Sequence, residues 1–288
     1  MSGTLYLVGT PIGNLEDITL RALRILREVD LILAEDTRHT RKLLAHYDIH
    51  TPLKSYHEHN ERSAAQEARE RLEAGQNLAL VTDAGLPGIS DPGAQLVQLA
   101  AEHGLPTVVV PGPTAFVLAL VLSALPTERF AFWGFPPRQG RQRDEFFAAA
   151  LQAPETIVFY ESPKRIGRTL ADLSALAPER RAAVVRELTK VHEEVRRGTL
   201  AELAAEYAHR EVKGEICLVV AGQPVRGASA VARMAREDDP ARLVQALIAK
   251  GYGRKDALRE AARQLGIARR EVYNAVLKAR RQAEDAST

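Results

Sequence analysis

Three short apolar runs, LYLVG (5–9), LALVT (78–82) and TVVVP (107–111), each pass directly into a loop of glycine and proline, with helical stretches between them. Runs of that length bounded by turn residues read as buried strands. Strands alternating with helices then demand a mainly parallel sheet. LILAE (31–35) supplies a further strand, and DITLRALRILREV (17–29) carries Leu20, Leu23, Ile25, Leu26 and Val29 at helical spacing. Thr37–Tyr47, Ser63–Gly75 and Ala94–His103 also read as helices. In the second half, FAFWG (130–134), TIVFY (156–160), AAVVREL (182–188) and ICLVVAG (216–222) are strand-like, with helices near 143–151, 165–176 and 199–208. The expected fold class is α/β: two α/β domains, 1–112 and 113–224, with a ligand cleft between them and a boundary near Pro111–Thr114.

The charge is distributed unevenly. Residues 226–288 hold 14 Lys and Arg against 8 Asp and Glu, so a basic tail follows a mildly acidic body. Residues 223–240 have weak periodicity and read as a linker. Residues 241–284 then show three helical stretches broken at Gly251–Gly253 and Gly266, the pattern of a small basic helix-turn-helix-like domain. A tail of this kind can meet a polyanion, or it can be a solvated helical surface or a dimerisation element.

The single Cys217 allows no internal disulfide and no cysteine zinc site, and a reducing cytoplasm is the expected location. No apolar stretch reaches the roughly eighteen residues of a membrane span, and the first residues lack the charge and apolar pattern of a signal peptide.

The loop after the first strand is GTPIGN (9–14), which is not GxGxxG, and no GxxxxGK[ST] occurs. Dinucleotide and P-loop chemistry therefore lose their main support. TDAGLPGISDPG (82–93) packs three glycines, two prolines and two aspartates into twelve residues, and PGPTA (111–115) follows the next strand. Glycine exposes backbone N–H and C=O groups, proline fixes the path, and three such loops at strand carboxyl ends suggest one shared ligand crevice. Within it, Asp83 or Asp91 can bond ribose hydroxyls, or Asp91 can cap the following helix.

GTPIGNLEDITLRAL, AEDTRHTRKLL, HEHNE, VTDAGLPGISDPG, VVPGPTA, FYESPKRI, RELTKVHEE and KGE, in this order, resemble the signatures of the tetrapyrrole methylase superfamily. More narrowly they resemble its bacterial branch that 2′-O-methylates a cytidine in the decoding region of 16S ribosomal RNA. The resemblance covers about residues 3–222, and the basic tail is similar to that branch's C-terminal extension. It implies an S-adenosylmethionine cofactor in the cleft and a homodimer, with ribosomal RNA, within the 30S subunit, as partner. It also implies cofactor contacts from Pro11, from Asp83, Ala84, Gly85, Leu86 and Ile89, and from Thr114 and Ala115, with Tyr160 and Glu161 closing the pocket. Where the porphyrin branch has a GGDP-like loop this chain has AGLP (84–87), so Leu86 replaces an acidic residue.

A ribose hydroxyl is a poor nucleophile until it begins to lose its proton, so a base or a cationic neighbour would help. Glu35, Asp36, His59 and Lys164 are the candidates by residue type and position. Asp36 also fits as a helix N-cap, and His57 and His59 fit as solvated loop residues or, less well for want of a third ligand, as metal ligands; no metal is expected. For RNA phosphate the candidates are Arg38, Arg138, Arg141 and Arg165 in the body and Arg254, Lys255, Arg269 and Arg270 in the tail. Two other readings stay open: methylation of a tetrapyrrole or other small molecule on the same fold, and a ligand-sensing nucleic-acid-binding regulator.

Overall fold

The computed structural model describes residues 2–223, 240–249, 251–265 and 268–285. They fall into two compact units, 1–223 and 224–288. The linker reading for 224–239 and the turn residues Gly266 and Ile267 lie outside the described residues.

The first unit holds two five-stranded sheets. In the first, β1 (Leu5–Val8), β2 (Leu31–Ala34), β3 (Leu53–Ser55), β4 (Leu78–Val81) and β5 (Thr107–Val110) pair in the order β3-β2-β4-β1-β5, all parallel. Side chains alternate between the faces of a strand, and both faces here are covered. Leu5, Leu7, Leu31, Leu33, Leu78 and Leu80 pack under α3 (Glu61–Glu73) and α4 (Ala94–Glu102). Val8, Ile32, Ala34, Ala79, Val81 and Val110 pack under α1 (Leu20–Glu28) and α2 (Thr37–His46). Burial on both faces is why these strands read as continuous apolar runs.

The second sheet departs from the expected parallel pattern. Its strands are β6 (Phe130–Phe132), β7 (Thr156–Glu161), β8 (Arg181–Arg186), β9 (Glu194–Thr199) and β10 (Ile216–Val220), in the order β6-β7-β10-β8-β9. Only β6 and β7 run parallel; the other three pairings are antiparallel. One face packs on α6 (Arg141–Gln152), α7 (Ile166–Leu176) and α8 (Leu200–Tyr207) through Phe159, Leu170, Val184, Leu203 and Leu218. Against the other lies α5 (Ala115–Ser123), with Val158, Val185, Cys217 and Val219 beneath Ala119 and Leu120.

Three elements had no sequence expectation, the first being β3, whose three residues LKS are too short to form an apolar run. Strand β9, EVRRGT, is an edge strand with Arg196 and Arg197 exposed, so it has no apolar run to reveal it. Helix α5, AFVLALVLS, has no polar face, and so no amphipathic period. In the second unit, α9 (Pro240–Ala249), α10 (Arg254–Leu265) and α11 (Arg269–Asp285) enclose a core of Val244, Leu247, Ala257, Leu258, Ala261 and Val272. No helix among the described residues is long and apolar enough to cross a membrane.

Candidate active site

Because β1, β4 and β5 are parallel neighbours, the three Gly-Pro loops that follow them emerge at the same edge of the sheet. Backbone contacts then join them. A Cβ on Gly9 or on Gly112 would lie 2.8 Å from the other residue's backbone, so only glycine permits this approach. The amides of Thr10 and Gly85 exchange hydrogen bonds of 2.8 and 3.1 Å, and the buried Thr10 hydroxyl donates to the Thr82 carbonyl at 3.0 Å.

These loops and the facing surface of the second sheet enclose a cavity of about 330 Å³. Of the expected cofactor residues, Ala84, Gly85, Leu86 and Ile89 line it from the β4 loop, and Thr114 and Ala115 from the β5 loop. Tyr160 and Glu161 line it from β7. Pro11 and Asp83 are not among the lining residues; Pro11 is buried, and Asp83 turns toward the end of β2. The far wall is apolar, with Ile12, Val185, Leu188 and Cys217, and Phe135 packs beside Tyr160 with ring centroids 5.4 Å apart. Burial pushes the Cys217 thiol up to about 12 and raises the Tyr160 phenol, so both stay neutral.

The polar lining is acidic. Asp91 reaches the cavity from the β4 loop, and Glu215, which pairs with Lys190 at 3.0 Å, from the residue before β10. Burial raises the Asp91 carboxyl to about 7, and the carboxylates of Glu35, Asp83 and Glu215 add to the rise. The carboxylate of Asp91 accepts no hydrogen bond from a described residue. It does not cap α4 either, because the N-cap there is Gly93, which offers no side chain. The sequence offers capping as a structural role for Asp91. Its freedom from that duty is visible only in three dimensions, as is the arrival of Glu215 and Phe135.

The proposed catalytic residues separate. Glu35 and Asp36 lie beside Asp83: the Asp36 amide donates to Asp83 Oδ1 at 3.2 Å, and the Asp83 amide donates to Glu35 Oε2 at 3.3 Å. Burial raises the Glu35 carboxyl, and Asp83 and Asp36 repel its charge. Asp36 is the N-cap of α2, accepting from the Arg38 amide at 2.8 Å, and its carboxylate holds the Arg38 guanidinium at 2.8 Å. That guanidinium keeps the Asp36 carboxyl well below the usual range. Asp36 thus takes the capping role, and Arg38 is paired within the chain. His59 is exposed, its ring 5.9 Å from that of His57, and Lys164 is exposed at the start of α7; neither lines the cavity.

Arg165 is drawn into the structure. It bonds the carbonyls of Pro136 and Pro137 at 2.7 and 3.1 Å and pairs with Glu161 at 3.2 Å. Arg143, close in sequence to Arg138 and Arg141, is 2% exposed and bonds Asp172, Thr169 and the Pro137 carbonyl. Both arginines therefore pin the loop that carries Arg138 and leads to Arg141 at the start of α6; Arg138 and Arg141 are themselves exposed. Arg141 pairs with Glu145 at 2.6 Å, a surface contact of small energetic weight. Among the described residues no group of three or more His, Cys, Asp or Glu side chains could hold a metal ion.

Comparison with known proteins is consistent with this geometry. The family described as Tetrapyrrole (Corrin/Porphyrin) Methylases matches residues 4–204. The chain is 45% identical over 278 residues to the Ribosomal RNA small subunit methyltransferase I of Halalkalibacterium halodurans, covering 94% of each chain. It is 46% identical over 272 residues to the protein of that name from Synechocystis, covering 94% of this chain and 96% of the relative. Among solved structures, a diphthine synthase superposes with a TM-score of 0.62 at 15% identity, over 76% of this chain and 90% of that one. A uroporphyrin-III C-methyltransferase from Thermus thermophilus, complexed with S-adenosyl homocysteine, gives 0.54 at 23% identity, over 76% of this chain and 97% of that one. At such identities these structures establish the shared fold alone.

Proposed function

The chain belongs to the tetrapyrrole (corrin/porphyrin) methylase family, and from that premise we propose that it methylates small-subunit ribosomal RNA with S-adenosylmethionine. The observation that carries the reading is the cavity itself, set among relatives that bear the ribosomal RNA methyltransferase name over almost their whole length.

The residues present fit the cofactor. Ile12, Leu86, Ile89 and Val185 offer an apolar surface to a flat base, and Tyr160 adds an aromatic ring. The left-handed Gly85 (φ +84°) lines the cavity without a side chain in the way. When bound, S-adenosylmethionine supplies an activated methyl group on a sulfonium, leaving the protein to position the acceptor and receive its proton. Asp91 is the group we assign to that second task. It faces the cavity, is free of internal hydrogen bonds, and is poised near neutrality, where a general base works best.

We assign the methyl group to the 2′-oxygen of a cytidine ribose, with the assembled 30S subunit as acceptor and the cytoplasm as location. A small-molecule acceptor is disfavoured by Leu86, which stands where the porphyrin branch carries an acidic residue. The test is 2′-O-methyl mapping of 16S ribosomal RNA, by mass spectrometry, from cells with and without this protein. One ribose methylation should vanish and return when 30S particles are treated with purified protein and S-adenosylmethionine. An unchanged map would refute the ribosomal RNA reading.

We also propose a homodimer. A helix that is apolar all round is normally buried on every side. Yet α5 leaves Val117 and Val121 exposed one turn apart, and outside the helix Phe130 and Val109 are exposed too. Val121, 67% exposed, is the most open of the four. Val121→Asp is expected to shift the protein from dimer to monomer in sedimentation equilibrium; a parent protein that is already monomeric would refute the dimer.

A further inference from the structure

The second unit contains a feature that the methyl-transfer site does not use. An open groove of about 630 Å³ is lined by Arg254 and Lys255 from α10, by Arg269, Arg270 and Tyr273 from α11, and by Leu258. All four cations are exposed, Leu258 is buried in the floor, and Tyr273 is 47% exposed. None of the four cations forms an ion pair with a described residue, although acids are close in sequence. Asp256 pairs with Arg259 at 3.1 Å, Glu260 pairs with Arg263 at 2.6 Å, and Glu271 accepts from the Ala268 amide at 3.2 Å. The nearby acids are thus engaged elsewhere, and positive charge collects in the groove.

That arrangement has no structural return. All four cations lie in or beside the first turns of their helices, where positive charge opposes the helix dipole and where the four also repel one another. A phosphate chain would relieve both costs. An exposed aromatic ring among cations is the other half of a single-strand site, since a nucleobase can stack on it while the arginines hold the backbone.

We propose that this groove binds a single-stranded RNA segment, with Arg254, Lys255, Arg269 and Arg270 on phosphates and Tyr273 stacked on a base. The inference rests on ribosomal RNA being the acceptor, and it assigns the second unit the task of holding that RNA. Tyr273 and the clustering of all four cations in one groove are what the structure adds to the charge of the tail.

The full-length chain can be titrated with a 12-nucleotide uridine oligomer and, separately, with polyphosphate, which has charge but no bases. The double variant Arg269→Gln/Arg270→Gln should bind the oligomer about tenfold more weakly. Its logarithmic salt slope should also be reduced by about 1 to 1.5, since each phosphate contact on a single strand contributes about 0.7. Tyr273→Ala should weaken the oligomer about 5- to 160-fold, the range for loss of one stacked base. It should leave polyphosphate binding unchanged, and Tyr273→Phe should bind like the parent. An unchanged salt slope in the double variant would overturn the phosphate role. Equal weakening of oligomer and polyphosphate by Tyr273→Ala would overturn the stacking. Failure of methyl transfer to 30S particles, with these binding losses intact, would remove the ribosomal RNA reading and leave the groove standing. Normal methyl transfer with an unchanged KM for 30S in every variant would do the reverse.

Discussion

Replacing Asp91 by asparagine is expected to lower kcat by about 100-fold or more, the usual contribution of a positioned general base. Affinity for S-adenosylmethionine should stay within a few-fold of the parent, because asparagine keeps the shape of the side chain. For the parent, kcat/KM should rise with pH to a plateau, with a midpoint near the pKa of about 7 that burial and the carboxylates of Glu35, Asp83 and Glu215 impose. For the variant this rise should disappear. Cofactor binding by calorimetry and single-turnover methyl transfer between pH 5.5 and 8.5 separate the roles. A weakened cofactor with unchanged single-turnover rate would make Asp91 a binding residue and sink its assignment as base.

Stability should move the other way. The Asp91 carboxyl titrates near 7 in the folded chain and near its ordinary 3.8 when unfolded, so between those values the folded state holds the extra proton. Its contribution to stability is therefore fully present below about pH 4 and is lost as pH rises to about 7. Asparagine has no proton to lose. The variant should accordingly be the more stable protein at pH 8, and the fall in stability between pH 4 and 7 should be shallower. Such an exchange of stability for activity is expected where like charges are gathered for chemistry.

The second large effect concerns Glu161, which the resemblance placed at the closing edge of the pocket. Its carboxylate is buried and satisfied: it accepts from the Ser162 amide at 2.8 Å and the Thr169 hydroxyl at 2.6 Å, and it pairs with Arg165 at 3.2 Å. Thr169 also accepts from the buried Arg143 at 2.9 Å, so Arg143 is linked to this acid through the threonine hydroxyl. Glu161→Ala removes the anion that Arg165 pairs with, leaving its guanidinium only the Pro136 and Pro137 carbonyls, and opens a void at the cavity wall. Breaking a buried pair from one side costs about 3–5 kcal/mol, and in a domain of this size each kcal/mol lowers Tm by roughly 2–4 °C. A fall of about 10 °C in thermal unfolding is expected, with a smaller fall for Glu161→Gln, which retains an acceptor for Thr169. If Glu161→Ala unfolds within a degree or two of the parent, the network does not hold the corner between β7 and α7.

Much of the architecture was legible before any coordinates because it depends on local chemistry. Buried parallel strands must be apolar on both faces, and glycine and proline must end them, so β1, β2, β4 and β5 announce themselves, as do the loops that form the cavity. Ala84, Gly85, Leu86, Ile89, Thr114 and Ala115 lie in those loops and line the cavity for that reason. Asp36 likewise shows its capping role in its position before a helix.

What the sequence could not decide was which side chains, distant along the chain, would share one volume. Strand β9 depends on an edge position and α5 on a neighbouring surface, and neither leaves a periodic trace. Arginines 143 and 165 look like surface charges in a one-dimensional reading. They are structural because Glu161, Thr169 and the Pro136–Pro137 carbonyls fold around them. The raised pKa of Asp91 arises from burial and from three carboxylates, at positions 35, 83 and 215, that only the folded chain brings within electrostatic reach. Propensity and patterning act over a few residues and are written in the sequence, whereas desolvation and Coulomb forces depend on distance through space, which the packing of the two sheets determines.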